Sequence, residues 1–297
     1  MGKVSILHLF TAAKNASPFD VNMAYDAGFD KIMPYTNVLP NEVVVLTQDA
    51  MFSRSPSGVK LESIFVGGRD IDVAMDMLKA AQGCMFPPFQ MSVMADPSGA
   101  FTTAAAMVAK VNTALEKLGS RLKGASLVII GASGPVGSCA AVIAAKEGAN
   151  VTLAAHHGVE EMVPHAEKLF KRYGVMLGVM DASTGAAKSA LVSSTQVVLC
   201  CGPAGVQVLS KAQLQASPSL QVVADVNAVA PLGAEGVGVH DDGVLIAGTN
   251  VTGIGALAIG NVKYATQHAL LKSMLVTEKP VYLDFLSAYE KAKTLAV

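Results

Sequence analysis

The run Leu127-Val128-Ile129-Ile130-Gly131-Ala132-Ser133-Gly134-Pro135-Val136-Gly137 constrains the fold of this chain more than any other. Its apolar start reads as a buried strand. Glycines and a proline then make a tight turn, and the small apolar run Ala140-Ala141-Val142-Ile143-Ala144-Ala145 reads as a helix. A strand, a glycine turn and a helix start aim backbone N–H groups and a positive helix end at a diphosphate. Gly134 suits close backbone approach to such a group, and Gly137 suits packing of the helix on the strand. Against the spacing G-x-G-x-x-G, Ala132 holds the first glycine position, with Gly131 one place earlier. Taken alone, the loop also fits a plain strand–helix turn.

The rest of the chain extends that unit. The 297 residues suit one large or two ordinary domains. After the loop, strands are expected at 126–131, 150–155, 175–180, 196–201 and 220–225. Helices are expected at 134–147, 159–172, 185–193 and 206–215. These strands are apolar throughout, as in a parallel sheet covered on both faces. The expected fold is α/β: a doubly wound parallel-sheet (Rossmann) dinucleotide-binding domain preceded by an N-terminal α/β substrate domain. In that first region, strands are expected at 5–10, 43–46, 63–66 and 91–94. Ser17 and Pro18 mark a helix start, and 70–81 reads as an amphipathic helix. A long alanine-rich helix follows at 102–118. Near the end, a further strand is expected at 244–247, and helices follow at 256–275 and after Pro280. The domains are expected at 1–105 and 106–275, with 276–297 returning to the first.

Composition narrows the function. Apolar residues make up 52% and charged residues 15%, against about 45–50% and about 25% in average globular chains. Packed domains or a homo-oligomer interface would bury the surplus. A net charge of −1 and the lack of Trp give no surface for nucleic acid. Cys84, Cys139, Cys200 and Cys201 form no C-x-x-C pair, so reduced thiols in a cytoplasmic protein and no metal site are expected. No export signal or membrane span is expected either.

Candidate site residues cluster at expected strand ends. The second strand of the nucleotide domain ends at His156 and His157, where an acid would hold the ribose hydroxyl of NAD and a base the 2′-phosphate of NADP. Histidine serves either, which points to dual use; two exposed loop histidines are the plain alternative. Gly202, Pro203 and Ala204 follow the fourth strand, and Asp225 and Asn227 the fifth. Turn capping explains the last two equally well. In the first region Asp20 and Asp96 lie at strand–helix junctions, where helix capping is again an alternative. Lys263 sits in an otherwise apolar helix, where a lysine commonly snorkels to solvent.

Several segments in one order resemble the bacterial methylenetetrahydromethanopterin dehydrogenases. They are Ser17-Pro18-Phe19-Asp20, Phe65-Val66-Gly67-Gly68, Asp96 with Thr102-Thr103-Ala104-Ala105-Ala106, Gly131 to Gly137, Asp225 with Asn227, and Gly255-Ala256-Leu257 through Lys263. Pro87-Pro88-Phe89, Asp225-Val226-Asn227-Ala228-Val229 and Gly260-Asn261-Val262-Lys263-Tyr264 are closer to the type that accepts NAD and NADP. The NADP-specific type has basic residues where this chain has His156 and His157. The resemblance implies a pterin domain and a nucleotide domain with a cleft between them, and a homo-oligomer. It implies hydride transfer from methylene-tetrahydromethanopterin to NAD or NADP in formaldehyde oxidation. It also implies Asp20 and Asp96 as charges favouring the cation that forms, Lys263 as a positioning residue, and residues 131–137 as the cofactor loop. The rivals are a methylene-tetrahydrofolate dehydrogenase, a shikimate- or amino-acid-type dehydrogenase, and a non-catalytic NAD(P)-binding sensor.

Overall fold

The computed structural model describes residues 4–297. The first elements are β1 (Ile6–Phe10), α1 (Pro18–Asp26), β2 (Lys31–Tyr35), α2 (Val43–Phe52), β3 (Glu62–Val66), α3 (Ile71–Cys84), β4 (Ser92–Ala95) and α4 (Ala100–Lys117). Then come β5 (Ser126–Ile130), α5 (Pro135–Lys146), β6 (Asn150–Ala155), α6 (Val159–Tyr173), β7 (Gly178–Asp181), α7 (Gly185–Ser193), β8 (Val197–Cys200) and α8 (Lys211–Gln215). The chain ends with β9 (Val222–Asp225), β10 (Asp242–Leu245), β11 (Thr252–Ile254), α9 (Ala256–Val276), β12 (Tyr282–Leu283) and α10 (Phe285–Lys293). Among the described residues, no helix is long and apolar enough to cross a membrane.

Two compact units form. One takes the described residues up to Thr102 together with Tyr264–Lys291, and the other takes Thr103–Lys263 with Ala292–Val297. The first unit holds a five-stranded sheet in the order β12-β4-β3-β1-β2, with every pair parallel. Its inner strands β3 and β4 are buried along their whole length, Glu62, Ser63 and Ser92 included. Ser17 caps α1 by accepting from the Asp20 N–H, with Pro18 in the first turn. Asp70 caps α3 through the N–H groups of Asp72 and Val73 at 2.8 and 3.0 Å.

The second unit holds seven strands in the order β10-β11-β9-β8-β5-β6-β7. Without β10, this is the 3-2-1-4-5-6 order of dinucleotide-binding folds. The sheet is mixed rather than wholly parallel, because β10 adds antiparallel to β11 with a register break at Gly243. Such an antiparallel edge strand is a common addition to a parallel sheet.

Other differences from the sequence expectation have local causes. Residues 43–46 start the helix α2 and are not a strand. Val43, Thr47, Ala50 and Met51 are its buried residues, a helical spacing that the valine run conceals when viewed alone. β2 was not foreseen, because Lys31 and Pro34 are unlike a buried strand; it is the edge strand, where proline is tolerated. β7 begins at Gly178 rather than 175, with Met176 exposed ahead of it. α8 covers only the end of its expected span, and the short β11 precedes α9.

Candidate functional site

In each sheet the connections after neighbouring strands leave in opposite directions at one point, and ligands of α/β sheets bind beyond the carboxyl ends there. In the second unit that point lies between β5 and β8. Gly131 leaves β5 with φ +82°, and a Cβ there would land on the carbonyl of Cys201, the residue after β8. A Cβ on Gly137 would strike the backbone of Gly131 and Ala132. Both positions therefore demand glycine, and this is why the loop is legible in sequence. Ala132 is fully buried, Ser133 and Pro135 are exposed, and Val136 is half-buried.

Gly134 is the N-cap of α5, and no side chain caps this helix. The Ser138 hydroxyl lies 3.0 Å from the Ala132 carbonyl and 2.9 Å from that of Gly134, which holds the loop's path. A helix start without a side-chain cap, approached by a glycine backbone, fits the diphosphate of a dinucleotide. When bound, such a cofactor supplies the hydride acceptor. Among the described residues, no group of three or more His, Cys, Asp or Glu is placed to hold a metal ion.

His156 and His157 follow β6, the first half-buried and the second exposed. Burial pushes His156 below the usual histidine range, and the charge of Lys188 pushes in the same direction. Both causes favour the neutral imidazole over the imidazolium. Lys188 carries no motif in the sequence: it is a lone lysine at the start of α7.

The loop after β8 is held by side chains from the end of β9. Gly202 faces Val208 so closely that a Cβ would lie 2.8 Å from it, while Pro203 and Ala204 are exposed. Asn227 accepts from the N–H groups of Gly205 and Val229 at 3.2 and 2.9 Å and donates to the Pro231 carbonyl at 3.0 Å. Asp225 accepts from the N–H groups of Asn227 and Ala234, both at 3.0 Å. Burial raises its carboxyl above the usual range, and those backbone bonds work against the shift. Both residues brace loops through the bonds described.

In the first unit the corresponding point lies between β1 and β3. Asp20 is 4% exposed, and its Oδ1 accepts from Gln267 Nε2 at 3.2 Å, a bond between α1 and α9. A Cβ on Gly67, just after β3, would sit 3.7 Å from Asp20 Oδ2, so the carboxylate stands at the sheet's carboxyl edge. α9 is also fixed to α1 by Tyr264 and His268, which bond to the Asp26 carboxylate and carbonyl at 3.3 and 3.2 Å. Asp96 is fully buried and serves the start of α4. It accepts from Phe101 N–H at 2.9 Å, Thr102 N–H at 3.2 Å and Thr102 Oγ1 at 2.6 Å. Ser98 beside it has φ +52° and donates to the Gly68 carbonyl at 2.9 Å. Lys263 is half-buried on α9, one turn before Gln267. Sequence reasoning overlooked Gln267; the signal was a second polar residue four places after Lys263 in an apolar helix.

The family described as methylene-tetrahydromethanopterin dehydrogenase, N-terminal, matches residues 18–98. An NAD(P)-dependent methylenetetrahydromethanopterin dehydrogenase of Methylorubrum extorquens is 45% identical over 98% of this chain and 99% of its own. From the same organism, bifunctional protein MdtA is 32% identical over 98% of this chain and 99% of its own. Among solved structures, shikimate 5-dehydrogenase of Listeria monocytogenes gives a TM-score of 0.52 at 13% identity, covering 100% of this chain and 98% of that one. The 5-ketofructose reductase of Gluconobacter sp. strain CHM43 gives 0.50 at 12%, covering 98% and 99%. At those identities the likeness is one of fold.

Proposed function

The chain belongs to the NAD(P)-dependent methylenetetrahydromethanopterin dehydrogenases, and from that premise we propose how its two sheet edges divide the reaction. The reaction converts methylene-tetrahydromethanopterin and NAD(P)+ to the methenyl cation and NAD(P)H. The carbon–hydrogen bond of the bridging methylene breaks with its electron pair leaving as hydride. The adjacent nitrogen lone pairs stabilise the cation left behind, so no general base is needed at that carbon. The protein's task is to align two ligands and to set the field at a carbon that becomes positive.

Asp20 supplies that field. The observation that carries this role is a buried carboxylate at the carboxyl edge of the first sheet, held by the side-chain amide of Gln267. Gln267 is the positioning residue that aims it. Asp96 shapes the turn carrying Ser98 and Gly99 and adds negative charge at the same edge. Lys263 holds the pterin's polar rim; an ammonium beside the methenyl carbon would oppose the reaction. In the second unit, residues 131–137 take the diphosphate and His156 with His157 take the adenosine ribose. Gly202, Pro203 and Ala204 take the nicotinamide side, on a loop braced by Asn227 and Asp225.

Reduction of NAD+ and of NADP+ with purified protein, followed at the NAD(P)H absorbance band, tests this assignment. Methylene-tetrahydromethanopterin and methylene-tetrahydrofolate serve as separate substrates. Reduction with the methanopterin and its loss in Asp20→Asn are expected. Full turnover by Asp20→Asn would remove Asp20 from the chemistry.

The protein acts in cytoplasmic formaldehyde oxidation as a homo-oligomer. The aromatic cluster of Phe52, Phe86 and Phe89, with Phe52 and Phe86 about half exposed, supports association. Light scattering giving a monomer mass would refute it.

A further inference from the structure

The sequence marks no cation at the end of β6, yet the fold brings one there. Lys188 lies in the first turns of α7, half-buried, with its Nζ donating to the Val208 carbonyl at 2.8 Å. Within the next turn, Leu191 and Val192 enter a buried cluster with Ala154, Ala182, Cys200 and Val208. Ala154 thus marks the face of β6 that α7 covers, and His156 lies two residues on, in the bend after the strand. Ala155 and its register partner Asp181 belong to the opposite face. Lys188 therefore stands over the Ala154 face, against the Val208 carbonyl on the loop after β8, at the carboxyl edge of the sheet. The charge of Lys188 is also among the causes that hold His156 below the usual histidine range.

A neutral imidazole can bond to a ribose hydroxyl, but it brings no charge to a phosphate ester carrying close to two negative charges near neutral pH. The loop after β6 holds no arginine or lysine of its own. Resting on the assignment of that loop to the adenosine ribose, we propose that Lys188 recognises the 2′-phosphate of NADP. An ammonium has three N–H donors, and Val208 takes one of them here. With NAD bound, the ammonium keeps its carbonyl partner and no charge is stranded. With NADP bound, the remaining donors meet the phosphate. A lysine that is satisfied in both cases allows dual cofactor use without a carboxylate or a fixed guanidinium at the end of β6.

Calorimetric titration with adenosine 2′,5′-bisphosphate and with adenosine 5′-monophosphate reads this without turnover. Wild-type protein is compared with Lys188→Met and Lys188→Arg. Lys188→Met weakens the bisphosphate by about tenfold to a hundredfold, the loss of one charge-assisted contact, and leaves the monophosphate within about twofold. Lys188→Arg retains most of the bisphosphate affinity. Unchanged bisphosphate affinity in Lys188→Met overturns the proposal, and so does equal weakening of both nucleotides, which marks a structural role. Wild-type protein that binds neither nucleotide overturns the adenosine assignment itself.

Discussion

The two sheets carry their acids in opposite ways. At the edge of the second sheet, Asp225 and Asn227 are held by backbone groups, those of their own loop at Asn227, Val229, Pro231 and Ala234 and that of Gly205 on the loop after β8. At the edge of the first, Asp20 is held by an amide 247 residues away in the chain. An acid answered by neighbouring N–H groups fixes a loop. An acid answered by a side chain on another element is itself being positioned. Asp96 stands nearer to Asp225, since two N–H groups and one hydroxyl at the start of α4, five and six residues on in the chain, hold it rather than a distant helix.

The glycine loop gives the largest test. Gly131→Ala forces a Cβ against the Cys201 carbonyl at φ +82°. Backbone cannot yield there without moving the end of β8, so a cost of about 3 kcal/mol or more is expected. Dinucleotide binding should vanish with it. Gly83→Ala in α3, where nothing lies within 4 Å, is the matched control; it should gain up to about 1 kcal/mol. Thermal melting separates the two, and equal melting temperatures would refute the loop geometry.

Asp20→Asn and Asp96→Asn then sharpen the contrast between acids. Removing a charge that meets the developing cation should lower kcat by about a hundredfold to a thousandfold. For Asp20→Asn we expect that loss with little change in melting temperature. For Asp96→Asn the order reverses. An amide in place of the carboxylate meets the start of α4 as a weaker cap, costing about 1–2 kcal/mol. Its kcat should fall less than that of Asp20→Asn. Similar kinetic losses in both variants would erase the distinction drawn from their partners.

The same contrast explains what was legible in the sequence. Gly131 and Gly137 could be read because backbone collisions dictate them locally, and a strand and helix flank them on cue. Around them β5, β8 and β9 follow from apolar runs between turn residues, whereas the mostly exposed β7 does not. Asp20 was visible as a candidate, but its capped-or-positioned character depends on Gln267, which only the fold brings near. α2 was misread for a related reason: its valine run suits a strand, and the buried Thr47, Ala50 and Met51 that give the helical period come later. Lys188 was invisible because the tertiary cluster of Ala154, Leu191 and Val192, not the chain, brings α7 to β6.

The smallest expected effect concerns the loop after β6 and separates its histidines from its lysine. If imidazolium supplied the charge for NADP, the preference for NADP over NAD would fall as pH rises and the ring loses its proton. His156 is held below the ordinary histidine value by burial, by Lys188 and by His157, with a backbone bond to Ala182 acting the other way. It is thus already neutral from about pH 7 upward. The ratio of NADP to NAD dissociation constants should therefore stay level between about pH 7.5 and about pH 8.5. The stability sign runs in the complementary window. Below about pH 6.5 the unfolded chain binds the proton more readily than the folded one, so this site loses stability as pH falls. A cofactor preference that declines steeply across the alkaline interval would return the charge to the histidines and take it from Lys188.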